Sequence, residues 1–174
     1  MIGERSIYRK VQVVLDSAKS GKTKSLQELE ENIVSLSPIN FSYTIMDKKR
    51  GKRVPHCSTD SVHKIVSLCI DLELVNEKGK LTDIGINLLD QDKFEKVLSK
   101  QVLIFLKNTG ITLEKMSETI KADMLQSDPV ILPTSEAIWN ALDQPVPLER
   151  FSVLLTLLGQ CNTITTSRRK LFLP

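Results

Sequence analysis

The sequence predicts a mainly α chain with short β-hairpins, organised as two halves of similar plan. Three observations predict it. Apolar residues recur at helical spacing along most of the 174 residues. Ser or Thr stands before several of these stretches, where a side-chain oxygen can accept a backbone N–H that the helix leaves unpaired. A pair of short segments around a tight polar turn follows a helical stretch in each half, as hairpins require.

An opening helix is expected over residues 5–17, with Ile7, Val11, Val14, Leu15 and the adjoining Ala18 on one side. Gly21 ends the connection. Ser25 caps a second helix, Leu26–Leu36, and Glu28 completes a capping box three residues on. Leu26, Leu29, Ile33 and Leu36 form its expected buried stripe, and Pro38 stops it. Residues 37–57 read as a long insert with a strand at 40–46, followed by a charged run. Next comes a helix capped by Ser58 or Thr59, whose stripe is Val62, Ile65, Val66, Cys69 and Leu72. Leu74-Val75 and Lys80-Leu81 flank Asn76-Glu77-Lys78-Gly79 as a very short hairpin, in which Gly79 supplies a positive φ. Thr82 then caps a closing helix at residues 83–89.

The polar step at 89–92 marks the boundary, so domains are expected at residues 1–90 and 91–174. The second half opens with a helix at 94–106, on which Phe94, Val97, Leu98, Val102 and Phe105 share a face. Thr112 caps a helix at 113–124. Pro129 and Pro133 mark a loop, residues 135–142 form a short helix around Trp139, and Pro147 opens a helix at 148–159. Residues 163–166 and 170–173 read as a terminal hairpin around Ser167-Arg168-Arg169.

The order over residues 58–90 is helix, short hairpin, then a closing helix that begins L-T-x-x-G-x-x-L (Leu81, Thr82, Gly85, Leu88). It resembles the core of winged helix-turn-helix domains, and the second half repeats that order. The resemblance implies two tandem winged-helix domains, with residues 58–72 as the recognition helix and 74–81 as the wing. It points towards DNA binding, although the same fold also serves protein interaction.

Composition sets the bounds. Hydrophobic residues are 41% and charged residues 26%, near globular averages, so a real core is expected. No run of about 18 uncharged apolar residues is present to cross a membrane. Residues 1–6 lack the apolar run of a signal peptide, and Cys57, Cys69 and Cys161 are three thiols at wide spacing. A cytoplasmic setting with reduced thiols is expected. The formal net charge is only +3, so any nucleic-acid affinity must come from local clustering.

Lys48, Lys49, Arg50, Lys52 and Arg53 form one such cluster, five cations in six positions. The cluster can grip a phosphate backbone and release counterions, or serve as a solvated hairpin tip. It belongs to a basic insert at 47–53. His63, Lys64 and Ser67 project outward from the recognition-like helix and can reach phosphates or base edges, but Asp60 and Asp71 beside them repel a phosphate backbone. Arg168, Arg169 and Lys170 stand at the tip of the last hairpin, where wing cations enter a minor groove or form an ordinary charged turn. The helix at 148–159 is apolar nearly all round. It is either buried within its domain or offers Phe151, Leu154 and Leu157 to a homodimer or protein partner.

Catalytic patterns fail on spacing. Ser20-Gly21-Lys22-Thr23 resembles the tail of a P-loop, but Asp16 stands where the first glycine is needed. His56, Cys57, His63 and Cys69 do not fit a tetrahedral zinc spacing. No enzyme, cofactor, metal or membrane partner is expected. Two functions compete: a DNA-binding protein, acting in transcription regulation or as the docking subunit of a larger system on double-stranded DNA, and a winged-helix adaptor between proteins.

Overall fold

Ser6 starts the first helix by accepting the N–H of Arg9 at 3.1 Å, and α1 runs Ile7–Lys19. The computed structural model describes residues 6–21, 23–47, 51–89, 93–126, 134–167 and 170–172. The chain divides into two compact units, Met1–Phe94 and Glu95–Pro174.

In the first unit, α2 is Leu26–Leu36. Ser25 Oγ accepts the N–H of Glu28 at 3.2 Å, while the Glu28 carboxylate reaches back to the N–H of Lys24 at 2.6 Å. The capping box is therefore closed one residue earlier than its usual form. A 3₁₀ turn, Pro38–Phe41, leads into β1 (Ser42–Asp47), which pairs antiparallel with β2 (Lys52–Cys57). Helix α3 (Thr59–Asp71) follows, capped by Ser58, and α4 is Asp83–Leu88. Helices α1, α2 and α3 each pack on the other two. Val11, Val14, Leu15, Leu29, Ile33, Val62, Val66 and Cys69 are wholly buried between them. Leu36 departs from the expected stripe. It lies 75% exposed, because the helix ends there and the chain turns away at Ser37.

The hairpin expected at 74–81 is reduced to a single bridge, Val75↔Leu81. The reason is backbone competition. Helix α3 closes with Glu73 at φ 56, and the N–H groups of both Leu74 and Val75 turn back to the Cys69 carbonyl, at 2.8 and 3.3 Å. These donors satisfy the end of the helix and are lost to a strand ladder. Asn76 Oδ1 takes the N–H groups of Lys78 and Lys80 as well. The ladder of this unit is instead β1–β2, ahead of α3.

The L-T-x-x-G segment has a direct physical basis. Thr82 Oγ1 lies against the carbonyls of Glu73 and Leu74 and accepts the N–H of Gly85 at 3.1 Å, so one hydroxyl caps α4 and ties it to the chain leaving α3. A Cβ at Gly85 would overlap the carbonyl oxygen of Leu74. Only glycine lets α4 approach so closely. Gly79 (φ +73) is pinned from the other side: Thr23, 2% exposed, reaches its carbonyl with Oγ1 at 3.4 Å.

The second unit carries α5 (Phe94–Asn108), α6 (Leu113–Gln126), α7 (Ser135–Ala141), α8 (Leu148–Gln160) and the hairpin β3 (Thr165–Ser167) with β4 (Lys170–Phe172). Residue Phe94 itself belongs to the first unit, where its ring meets Tyr8 edge-on at 4.8 Å. Helix α7 packs on both α6 and α8, and α8 also meets β3. Trp139 donates its indole N–H to the Val146 carbonyl at 2.6 Å, which holds the turn between α7 and α8. Phe151, Leu154 and Leu157 are wholly buried. This corrects the interface expected at these three residues in favour of burial within the domain, so none of the three is available to a partner, although Leu148 and Val153 of the same helix stay half-buried.

Two substitutions check this packing. Gly→Ala inside a helix ordinarily gains roughly 1 kcal/mol. Here Gly85→Ala is expected to lose about 3 kcal/mol, because the new methyl group has to push α4 off the Leu74 carbonyl. A urea midpoint that rises would show that α4 does not pack as described. Leu154→Ala is expected to cost about 2–5 kcal/mol while leaving the sedimentation coefficient unchanged. A change in oligomeric state at constant stability would restore the interface.

Candidate nucleic-acid interface

Lys52 and Arg53 of the basic run lie in β2 of the β1–β2 hairpin. Register runs from Ser42↔Cys57 at the root to Asp47↔Lys52 next to the turn, with Met46↔Arg53 one pair in. Lys52 and Arg53 are therefore strand residues, not part of a loop. The basic insert expected at 47–53 is thus paired strand at these two positions. Lys48, Lys49 and Arg50 lie outside the described residues. Gly51 has φ +61 and nothing near its Cβ position, so backbone conformation and not crowding explains the glycine.

The root of the hairpin is built into the helical core. Phe41 is 2% exposed, and the Lys10 ammonium of α1 lies 5.5 Å from its ring centroid. The same ammonium donates to Ser61 Oγ on α3 at 3.2 Å. Ser42 Oγ donates to the Ile39 carbonyl at 3.0 Å, and the N–H of Ser58 donates to the Phe41 carbonyl at 3.0 Å. Strands of six residues make the hairpin about 20 Å long. Pro55, opposite Thr44, has no N–H, which blunts one strand edge against further pairing.

On α3, His63, Lys64 and Ser67 share the face turned from the core; the first two are exposed and Ser67 is half-buried. Both cationic candidates meet carboxylates. His63 Nδ1 is 2.9 Å from Glu30 Oε1 on α2, and Lys64 Nζ is 3.2 Å from Asp60 Oδ2 one turn back. The Glu30 contact was beyond sequence reasoning, since it depends on how α2 packs against α3. Glu28, Glu30 and Glu31 were legible, however, as a carboxylate run without a cation on α2. A groove of about 360 Å³ between α2 and α3 has Val34 and Val62 on its walls and Glu30 and Glu31 at its side. A wider one of about 730 Å³ separates α1 from α2 and mixes Arg9, Lys24, Asp16 and Glu28.

The backbone of Lys170 lies in β4, paired with Ser167, while Arg168 and Arg169 fall outside the described residues. Thr23, the last residue of the P-loop lookalike, points its hydroxyl into the core at the Gly79 carbonyl and not at a cradle. Among the described residues no three His, Cys, Asp or Glu side chains come together to hold a metal, and no helix is long and apolar enough to cross a membrane. The chain matches no protein-family model, no curated protein and no solved structure.

Cys57, Cys69 and Cys161 stand outside any disulfide, and burial raises Cys57 above its ordinary value. Burial, with a smaller contribution from the Glu95 carboxylate, pushes Cys161 up to about 12 from 9.0. The unfolded thiol ionises near the ordinary value and the folded one only near about 12, so the unfolded state binds fewer protons in between. This group's stabilisation is complete below pH 9.0 and declines from there towards about 12. Urea unfolding at stepped alkaline pH is expected to show that decline, flattened in Cys161→Ala. An equally steep decline in the variant would place Cys161 in water.

Proposed function

We propose that this chain is a non-enzymatic DNA-binding protein, a regulator or the DNA-docking subunit of a larger system, built from tandem winged helix-turn-helix units. The observation that carries the reading is that Lys52 and Arg53 of the basic run stand on a hairpin whose root is fixed in the three-helix core. A phosphate backbone rewards such a cluster of cations because counterions leave as they bind. The packing of α1, α2 and α3, followed by the Val75↔Leu81 bridge and α4, supports the winged-helix reading of the first unit. Free thiols accord with a cytoplasmic setting. The terminal hairpin, with Arg168, Arg169 and Lys170, would supply a second phosphate contact.

The second reading, a winged-helix adaptor between proteins, is favoured by one observation: His63 and Lys64 of α3 already face carboxylates. It loses its expected surface on α8, where Phe151, Leu154 and Leu157 are buried.

Binding to random duplex DNA across a salt series separates the two. Each cation that neutralises a phosphate contributes roughly 0.9 to the slope of log affinity against log salt. Replacing Lys49, Arg50 and Lys52 together with Ala is expected to weaken binding to unrelated duplexes and make the slope shallower by about 2–3. An unchanged slope would make the basic run a solvated turn and favour the adaptor.

A further inference from the structure

We propose that duplex DNA is held through the β1–β2 hairpin without sequence preference, and that the α2–α3 face is turned away from it. The proposal rests on the DNA-binding reading and names the class of substrate: duplex of any sequence.

In a winged-helix docking, the helix in the position of α3 would enter the major groove, between two phosphate backbones. The charge on this helix and its neighbour opposes that placement. Helices α2 and α3 together carry Glu28, Glu30, Glu31, Asp60 and Asp71 against one lysine and one histidine. His63 sits on Glu30, and Lys64 on Asp60. The Lys64 pair is exposed, at 51% and 75% for its two side chains, so it is weak and Lys64 can leave it. Leaving does not help, because Asp60 then stands uncompensated one turn away, within a Debye length of any phosphate that Lys64 reaches. A carboxylate can accept from a cytosine amino group. One such contact would still bring the remaining carboxylates up to the backbone.

The basic run has the opposite balance, with five cations in six positions beside a single carboxylate, Asp47. It contains no aromatic residue to stack on a base, and lysine and arginine on a backbone position the protein without reading sequence. Grip and readout, which a winged helix usually divides between wing and recognition helix, thus come apart here. The grip lies ahead of α3, and α3 reads nothing.

The test uses the full chain, fluorescent duplexes of unrelated sequence and a salt series. Four proteins are compared: wild type, Lys49→Ala/Arg50→Ala/Lys52→Ala, Lys64→Ala/Ser67→Ala, and Glu30→Gln/Glu31→Gln/Asp60→Asn. The expected result is wild-type affinities that agree within about threefold across duplexes. The Lys64/Ser67 and carboxylate variants should stay within roughly twofold with an unchanged slope, and only the hairpin variant should bind weakly. Tighter binding or a steeper slope after the carboxylates are neutralised would put α2–α3 at the DNA and overturn the proposal. So would a tenfold sequence preference that the Lys64/Ser67 variant abolishes, or a hairpin variant that binds like wild type. The first two outcomes leave DNA binding itself standing, whereas the third favours the adaptor. A wild-type chain that binds no duplex sinks the parent reading, and this inference with it. Circular dichroism on each variant, all changed outside the buried core, ties the differences to contact and not to folding.

Discussion

Everything in the first unit depends on the apolar seam where α1, α2 and α3 meet. Val11, Val14 and Leu15 face Leu29 and Ile33, and Val62, Val66 and Cys69 complete the layer, all without exposed surface. Full burial of one such side chain contributes about 1.5–3 kcal/mol, and the hydrophobic effect has no direction of its own. The precision comes from what is inserted at the rim. Phe41 brings the root of the β1–β2 hairpin into contact with Lys10 of α1, and Lys10 in turn reaches Ser61 on α3. At the opposite end of α3, the Leu74 carbonyl receives Thr82 and excludes any side chain at position 85. The hairpin and α4 are therefore both attached to α3, one at each end.

That attachment matters because a two-stranded sheet is marginally stable by itself in water. The pairing from Ser42↔Cys57 to Asp47↔Lys52 needs a fixed root, and the helical core provides one. A cluster of like charges works against the hairpin, since Lys52 and Arg53 stand on one strand and three more cations precede them in sequence. Mutual repulsion at the turn is tolerable while the root is held.

Local signals were legible in the sequence where a single short-range interaction decides the outcome. Ser25, Thr82 and Thr112 were read as caps, and each accepts the expected N–H, from Glu28, Gly85 and Lys115. Helix α2 has the bounds that Ser25 and Pro38 announce. The stripe Val62, Ile65, Val66, Cys69 and Leu72 is buried throughout. The failures share a cause, which is competition from groups outside the window. Residues 74–81 have the letters of a hairpin, but the Cys69 carbonyl takes the donors that a ladder needs. The nearly all-apolar α8 left an interface open beside the slightly favoured burial within the chain, because periodicity cannot say what covers a helix. Lys64 and His63 read as outward contacts for phosphates or base edges, and only the packing of α2 beside α3 reveals Glu30 against the ring. Of the candidate site, the sequence carried the basic run as a cluster but not Lys52 and Arg53 as paired strand residues.

The acidic character of α3 has a local physical source, and it conflicts with DNA readout. Asp60 lies in the first turn, where a negative charge interacts favourably with the unpaired N–H groups and the helix dipole. Lys64 follows four residues later, in the order that stabilises a helix best. Glu30 adds a hydrogen bond from α2 to the exposed imidazole of His63. Each contact favours the helix and its packing by a modest amount, and each places a carboxylate where a groove-reading helix would meet phosphate. A helix that reads DNA has to give up such partners or keep them away from its outer face. Here the partners are retained on that face, while the dense run of cations stands in a separate element attached to the N-terminal end of the same helix. The first unit thus combines a helix stabilised by carboxylates with a basic hairpin, and a polyanion can engage the second without displacing the contacts that hold the first.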